Sequence, residues 1–125
     1  MKFREYYSQI EEIIKECPFI THFTIDFDEI DLNVGYLKGR LELIDASVLH
    51  FIEFVEINND AAIRIKYKYQ WQLENESLIA RWDNVPHHKE ISTFPHHMHD
   101  DKGVSACRNM DLKAVIEIIL DKIVG

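Results

Sequence analysis

Ile63-Arg64-Ile65-Lys66-Tyr67-Lys68-Tyr69-Gln70-Trp71-Gln72-Leu73 alternates apolar and polar side chains without a break. A period of two marks a β-strand with one covered face, because successive side chains of a pleated backbone point to opposite sides. Ile63, Ile65, Tyr67, Tyr69, Trp71 and Leu73 share one face, and Arg64, Lys66, Lys68, Gln70 and Gln72 share the other. The polar face reads either as the solvated outside of a half-buried sheet, the default for such alternation, or as a basic strip able to meet phosphates.

The same period extends to both sides of this segment. Upstream, Thr21, Phe23, Ile25 and Phe27 alternate with His22, Thr24, Asp26 and Asp28, and strands are predicted over 36–44 and 47–57; downstream, one is predicted over 78–84. The separators, Asn33 to Gly35, Asp45-Ala46, Asn58-Asn59-Asp60 and Glu74-Asn75-Glu76, have turn composition. Connections this short join adjacent antiparallel strands. Residues 2–16 switch to a helical period, with Tyr6, Ile10, Ile13, Ile14 and Cys17 on one side and Pro18 as the breaker. A second helix is predicted over 111–124 on the stripe Leu112, Val115, Ile116, Ile119, Leu120 and Ile123, with Asn109 as its N-cap. The expectation is a single α+β domain, residues 1–125: an antiparallel meander sheet of about five strands flanked by an N-terminal and a C-terminal helix.

Composition narrows the function. A chain of 125 residues with 46% apolar side chains is long enough to bury one ordinary core. Its net charge of −8 excludes a protein that simply coats nucleic acid, since such binding rests on dense Lys and Arg. A local basic strip that engages RNA, or a basic protein partner, stays compatible with that charge. Cys17 and Cys107 lie 90 positions apart and form no metal or redox motif. No run approaches the roughly 20 apolar residues of a membrane span, and the first residues lack a signal-peptide core, so the expected location is the cytoplasm and no membrane is involved.

Five of the seven histidines fall within 13 residues, in Pro86-His87-His88-Lys89-Glu90-Ile91-Ser92-Thr93-Phe94-Pro95-His96-His97-Met98-His99. The surrounding stretch, 85–108, shows few strand or helix signals and reads as a functional loop, since structureless loops of that length are uncommon in compact domains. In extended backbone His97 and His99 share a side and His96 faces away, while His87 and His88 offer one ring each to opposite sides. His97 and His99, with one ring from His87 or His88 and a carboxylate as a further ligand, could therefore hold a divalent transition metal such as zinc, with His97, His99 and His87 as the named set, although the spacing matches no standard zinc signature. Alternatively, one imidazole removes a proton and another returns one, with no metal required. Cleavage of RNA needs little more, because the ribose 2′-hydroxyl is the nucleophile and Arg or Lys can stabilise the charge developing on the phosphate. Any single histidine here could also do no more than pin the loop by hydrogen bonding.

Two carboxylates stand out. Glu53 shares strand parity with Leu49, Phe51, Val55 and Ile57, so it falls in an apolar row and needs a partner. Arg40 and Arg81 on neighbouring strands are available, either in a buried ion pair or in an arrangement that orients a catalytic histidine. Asp83 emerges with Arg81 at a strand end, where it either orients an imidazole or caps the turn before Pro86. His22 and His50 stand alone on strands and read as structural.

Taken together, Gly39-Arg40, Phe51-Ile52-Glu53, Lys66-Tyr67-Lys68-Tyr69-Gln70, Arg81-Trp82-Asp83-Asn84-Val85-Pro86-His87-His88 and Thr93-Phe94-Pro95-His96-His97-Met98-His99 resemble the TumE-like toxins, over roughly residues 35–100. The chain departs from the family pattern in having Met98 where a Lys is usual. The resemblance implies the toxin of a type II toxin–antitoxin pair, with a helix-turn-helix antitoxin as partner. The reading that follows is growth inhibition through RNA cleavage, with His87, His88, His96, His97, His99, Glu53 and Asp83 as catalytic candidates. Arg40, Lys68, Tyr69 and Arg81 would serve the substrate. The alternative is a non-catalytic protein-interaction module, with or without a bound metal; a homo-oligomer is compatible with either.

Overall fold

The computed structural model covers residues 1–125 and shows an α+β fold in which one antiparallel sheet carries both helices on the same face. The elements run α1 (Phe3–Lys15), β1 (Ile20–Asp31), β2 (Val34–Leu43), β3 (Val48–Asn58), β4 (Ala61–Gln72), β5 (Leu78–Asp83), β6 (His97–Asp100), β7 (Gly103–Ala106) and α2 (Leu112–Val124). Spatial order equals chain order, a pure meander.

The sheet has seven strands rather than about five. The two extra ones, β6 and β7, lie within 85–108, the stretch read from sequence as a loop. Each is four residues long, too short for alternation to stand out, and β6 is histidine-rich rather than apolar. Their hairpin turns at Asp101-Lys102, where Asp100 accepts from the Lys102 backbone N–H and Gly103 takes φ +112°. The β3–β4 turn is of the primed type, with φ positive at Asn59 and Asp60, the residue types that tolerate it.

One face of the sheet is the core. Leu37, Leu41, Leu49, Phe51, Val55, Tyr67, Tyr69, Trp71, Ala80 and Trp82 meet the stripes of α1 (Phe3, Tyr6, Ile10, Ile14) and α2 (Leu112, Val115, Ile116, Ile119). Full burial of each large side chain contributes about 1.5–3 kcal/mol. Helix α1 is seated by Phe3, whose ring lies against Gly35 where a Cβ would come within 2.6 Å. Helix α2 is capped by Asp111, which accepts from the Ala114 N–H at 2.8 Å; Asn109, expected in that role, instead accepts from Arg64 at 3.1 Å.

The alternation of β4 is interrupted once. Phe54 pairs Lys66 but Val55 pairs Arg64, so Ile65 is the extra residue of a β-bulge. The bulge reverses parity at the strand's start. Ile63 is left exposed and Arg64 turns to the helix side, where its Nε donates to the Met110 carbonyl at 3.2 Å. Asn84 spans the irregularity, accepting from the Tyr67 N–H at 2.9 Å and donating to the Ile65 carbonyl at 3.0 Å.

Candidate functional site

The register of the meander aligns two rows of side chains on the sheet face that carries no helix. One row is Lys38, Ile52, Lys68, Asp83 and His97; the next is Arg40, His50, Gln70, Arg81 and His99. Each row crosses five strands, about 19 Å at the usual strand spacing. Both end in the histidine hairpin. The polar alternation visible in β4 is thus one segment of a basic strip that runs toward the histidines.

At that end Lys68, Arg81, Asp83, Val85, His87, His88, His97 and His99 line a pocket of about 330 Å³. Asp83 is its centre, with a side chain only 3% exposed. The carboxylate accepts from His97 Nε2 at 2.8 Å, from Arg81 Nε at 3.1 Å and from the Val85 backbone N–H at 3.0 Å. Such a carboxylate is affordable in a buried position because its lone pairs are met by donors, two of them on cationic or polar side chains. Asp83 therefore both caps the turn before Pro86 and orients an imidazole, the two roles its sequence position offered.

His97 is equally buried, and its other nitrogen, Nδ1, lies 2.8 Å from the Pro95 carbonyl. The ring therefore stands between a carboxylate and a backbone carbonyl, with one nitrogen 2.8 Å from each. It is paired with Asp83 and fixed in orientation. His99 stands beside it, ring centroids 4.8 Å apart, with Nε2 3.6 Å from Asp83, beyond a hydrogen bond. Burial, and then the Arg81 guanidinium, push the His99 imidazole below the usual histidine range. It is accordingly a neutral base at pH 7. His88 completes the cluster, its ring 5.1 Å from that of His97 and 5.7 Å from that of His99, with Nδ1 3.4 Å from Glu90.

The nearest donor atoms of His88, His97 and His99 lie within 4.8 Å of one another. Of the two rings the sequence offered as third member, His88 joins the trio, and His87, the one named in the set, is exposed at the pocket rim. Tetrahedral nitrogens about 2.0–2.1 Å from zinc lie closer together than this, and His97 would have to give up Asp83 or Pro95 to join them.

Three other candidates lie apart. Glu53 is fully buried on the helix side of the sheet, where it accepts from the Tyr6 hydroxyl and, at 2.5 Å, from the Tyr69 hydroxyl. Its partners are these tyrosines, with Arg64 nearby, and not Arg40 or Arg81; burial raises its carboxyl above the usual range, opposed by the two hydroxyls. Tyr69 is committed to Glu53 and faces no open space. His96 turns away from His97, as strand parity required, and its Nδ1 meets the Tyr67 hydroxyl at 2.8 Å with the two rings stacked. Met98 pairs Trp82 and packs on the core, outside the pocket.

Arg40 stands on the basic strip and is engaged by Glu42 at 2.6 Å. His50 belongs to the strip as well, opposite Arg40, with its imidazole pushed down by burial and by that guanidinium. Sequence reading set it aside as structural; pairing β2 with β3 through their short turn would have placed it beside Arg40.

No helix is long and apolar enough to cross a membrane. Neither the curated proteins nor the solved structures contain a match to this chain. A family model described as Toxin TumE does match, over residues 10–125, which includes both histidine runs and the whole sheet, and the chain belongs to the TumE toxin family.

Proposed function

We propose that this toxin inhibits growth by cutting RNA at the Asp83–His97–His99–His88 pocket, and that a helix-turn-helix antitoxin holds it in check in the cytoplasm. The observation that carries the reading is the neutral imidazole of His99 placed beside two further imidazoles, His88 and His97, and two cationic groups, Lys68 and Arg81, around one buried carboxylate. Phosphodiester cleavage with an internal nucleophile asks for such a set: a base, an acid and positive charge at the phosphate.

In this mechanism His99 takes the proton of the ribose 2′-hydroxyl. The 2′-oxygen attacks phosphorus, the bond from phosphorus to the 5′-oxygen breaks, and His88 in its protonated form gives that oxygen its proton. The products are a 2′,3′-cyclic phosphate and a 5′-hydroxyl. Lys68 and Arg81 stabilise the charge on the phosphoryl oxygens, while Asp83 and His97 hold the geometry.

The grouping of three imidazoles, His88, His97 and His99, supports one second reading, a divalent transition metal drawn in by these rings in a module that acts by protein contact. Induced expression of the wild-type chain, of His99→Ala and of His88→Ala tests the pocket that both readings share, and cleavage of RNA by purified protein in chelator separates them. Arrest by the wild type alone, with all three proteins folded and equally abundant, is the expected result. Full arrest by both variants would remove the pocket from the function.

A further inference from the structure

Beside the histidine pocket the same open face holds a second, larger concavity of about 590 Å³, whose walls include Tyr36, Phe54, Ile65, Phe94, Lys66 and Lys68. Tyr36 and Phe54 are stacked, centroids 4.6 Å apart and planes 22° from parallel. Tyr36, Phe94, Ile52 and Ile65 are each about 40% exposed, an apolar patch with no helix over it. A third concavity of about 320 Å³ lies over Lys38, Arg40 and His50. Lys68 lines all three, so they meet at one ammonium group.

We propose that this face is a track for single-stranded RNA: a base enters the aromatic concavity, its phosphate lies on Lys68 at the mouth of the histidine pocket, and flanking phosphates lie over Lys66 and the Lys38–Arg40 strip. The proposal rests on the RNA-cleavage reading and names the form of substrate that the site takes. Three features select this occupant. Flat exposed rings are stacking platforms for unpaired bases, whose faces are available only when they are not stacked in a duplex. Lysines on the rim of an apolar concavity match a chain that carries a base and a phosphate at every step. Finally, a chain of net charge −8 concentrates Lys38, Arg40, Lys66, Lys68 and Arg81 on β2, β4 and β5 of this one face, while Asp26 and Asp28 border it at β1, Glu56 lies beyond Phe54 on β3, and Glu42 engages Arg40. That separation leaves a path for a polyanion where the body as a whole repels one.

The test is binding of a 5′-labelled 12-nucleotide RNA of mixed sequence, single-stranded or annealed to its complement, followed by fluorescence anisotropy at fixed salt. Full-length His99→Ala serves as the non-cutting background. The track predicts that the single strand binds at least tenfold more tightly than the duplex. Phe54→Ala with Phe94→Ala should weaken single-strand binding about tenfold or more, the range reported by removal of a stacking ring. Lys66→Gln, which removes a charge from an exposed position and leaves the rings alone, should lower the salt slope of binding by roughly one. Equal affinity for single strand and duplex, or ring and lysine variants that bind like their parent, would overturn the track even if His99-dependent cleavage is intact. If wild-type protein cuts RNA with no need of His99, the cleavage reading fails separately. Absence of any RNA binding overturns the track and leaves the aromatic concavity to a protein.

Discussion

His97 stands between the Asp83 carboxylate and the Pro95 carbonyl, one ring nitrogen 2.8 Å from each, with the side chains of His97 and Asp83 both 3% exposed. The same carboxylate accepts from the Arg81 guanidinium at 3.1 Å, so a buried charge is paired at the junction of β5 and β6. Removing one member of such a pair strands the other, at about 3–5 kcal/mol. Asp83→Asn should therefore lower unfolding free energy by an amount in that range, read by chemical denaturation, and should remove cleavage as well. A variant within about 0.5 kcal/mol of the parent would show that the pair does not hold the hairpin.

The histidines divide by the face they occupy. His99→Ala and His88→Ala should each lower the cleavage rate by about 10²–10⁴, the usual contribution of a positioned acid or base. His96→Ala removes a ring hydrogen-bonded to Tyr67 on the other side of the sheet, and its cost should appear as about 1 kcal/mol of stability with the rate nearly unchanged. Rate measurements on the three purified variants decide this. A His96→Ala rate as low as that of His99→Ala would place the site on the wrong face.

Base catalysis by His99 fixes the sign of the pH dependence. Burial and Arg81 lower the His99 titration below 6.5, so the cleavage rate should rise with pH through an inflection below that value. Arg81→Gln removes the nearby guanidinium and frees Asp83 to attract a proton, and both changes raise the titration. The inflection should then move to higher pH, whatever happens to the maximal rate. An unmoved inflection would assign the limb to another group.

Glu53 titrates in the opposite sense. Its carboxyl is raised by burial, so the folded state holds a proton that the unfolded chain has already released. The stability this provides is fully present below the unfolded value, near 4.5, and is lost as pH rises through the folded one. Glu53→Gln carries no charge at any pH and should melt more favourably relative to the parent at pH 8 than at pH 5. An identical difference at the two values would mean that the carboxylate is fully compensated by Tyr6, Tyr69 and Arg64. Glu53→Ala, which abandons two buried hydroxyls, should cost several kcal/mol at either pH.

Period and turn chemistry made β1 to β5 and both helices legible, because in each the apolar residues recur over three or more repeats. Four-residue strands supply no such repeat, which hid β6 and β7. The bulge at Ile65 was invisible for a different reason: alternation in the sequence continues through it, and only the partner strand shows that Arg64 has changed sides. At the site, the parity of His97 with His99 and the double role of Asp83 could be read directly. The choice of His88 over His87 could not, since residues 84–96 follow no regular period and the ring that faces the pocket is set by how that segment closes. Glu53 was recognised as buried, but its partner Tyr6 lies 47 residues earlier on α1, a contact no strand pattern encodes.

The most direct test of the account is cleavage of a mixed RNA pool by purified protein, with and without chelator, beside His99→Ala, with the ends of the fragments identified. The account predicts cutting that survives chelator, disappears in His99→Ala, and leaves 2′,3′-cyclic phosphate and 5′-hydroxyl ends. Cutting that stops in chelator and resumes when zinc is restored would contradict the metal-free mechanism, and intact RNA under every metal condition would contradict RNA cleavage itself.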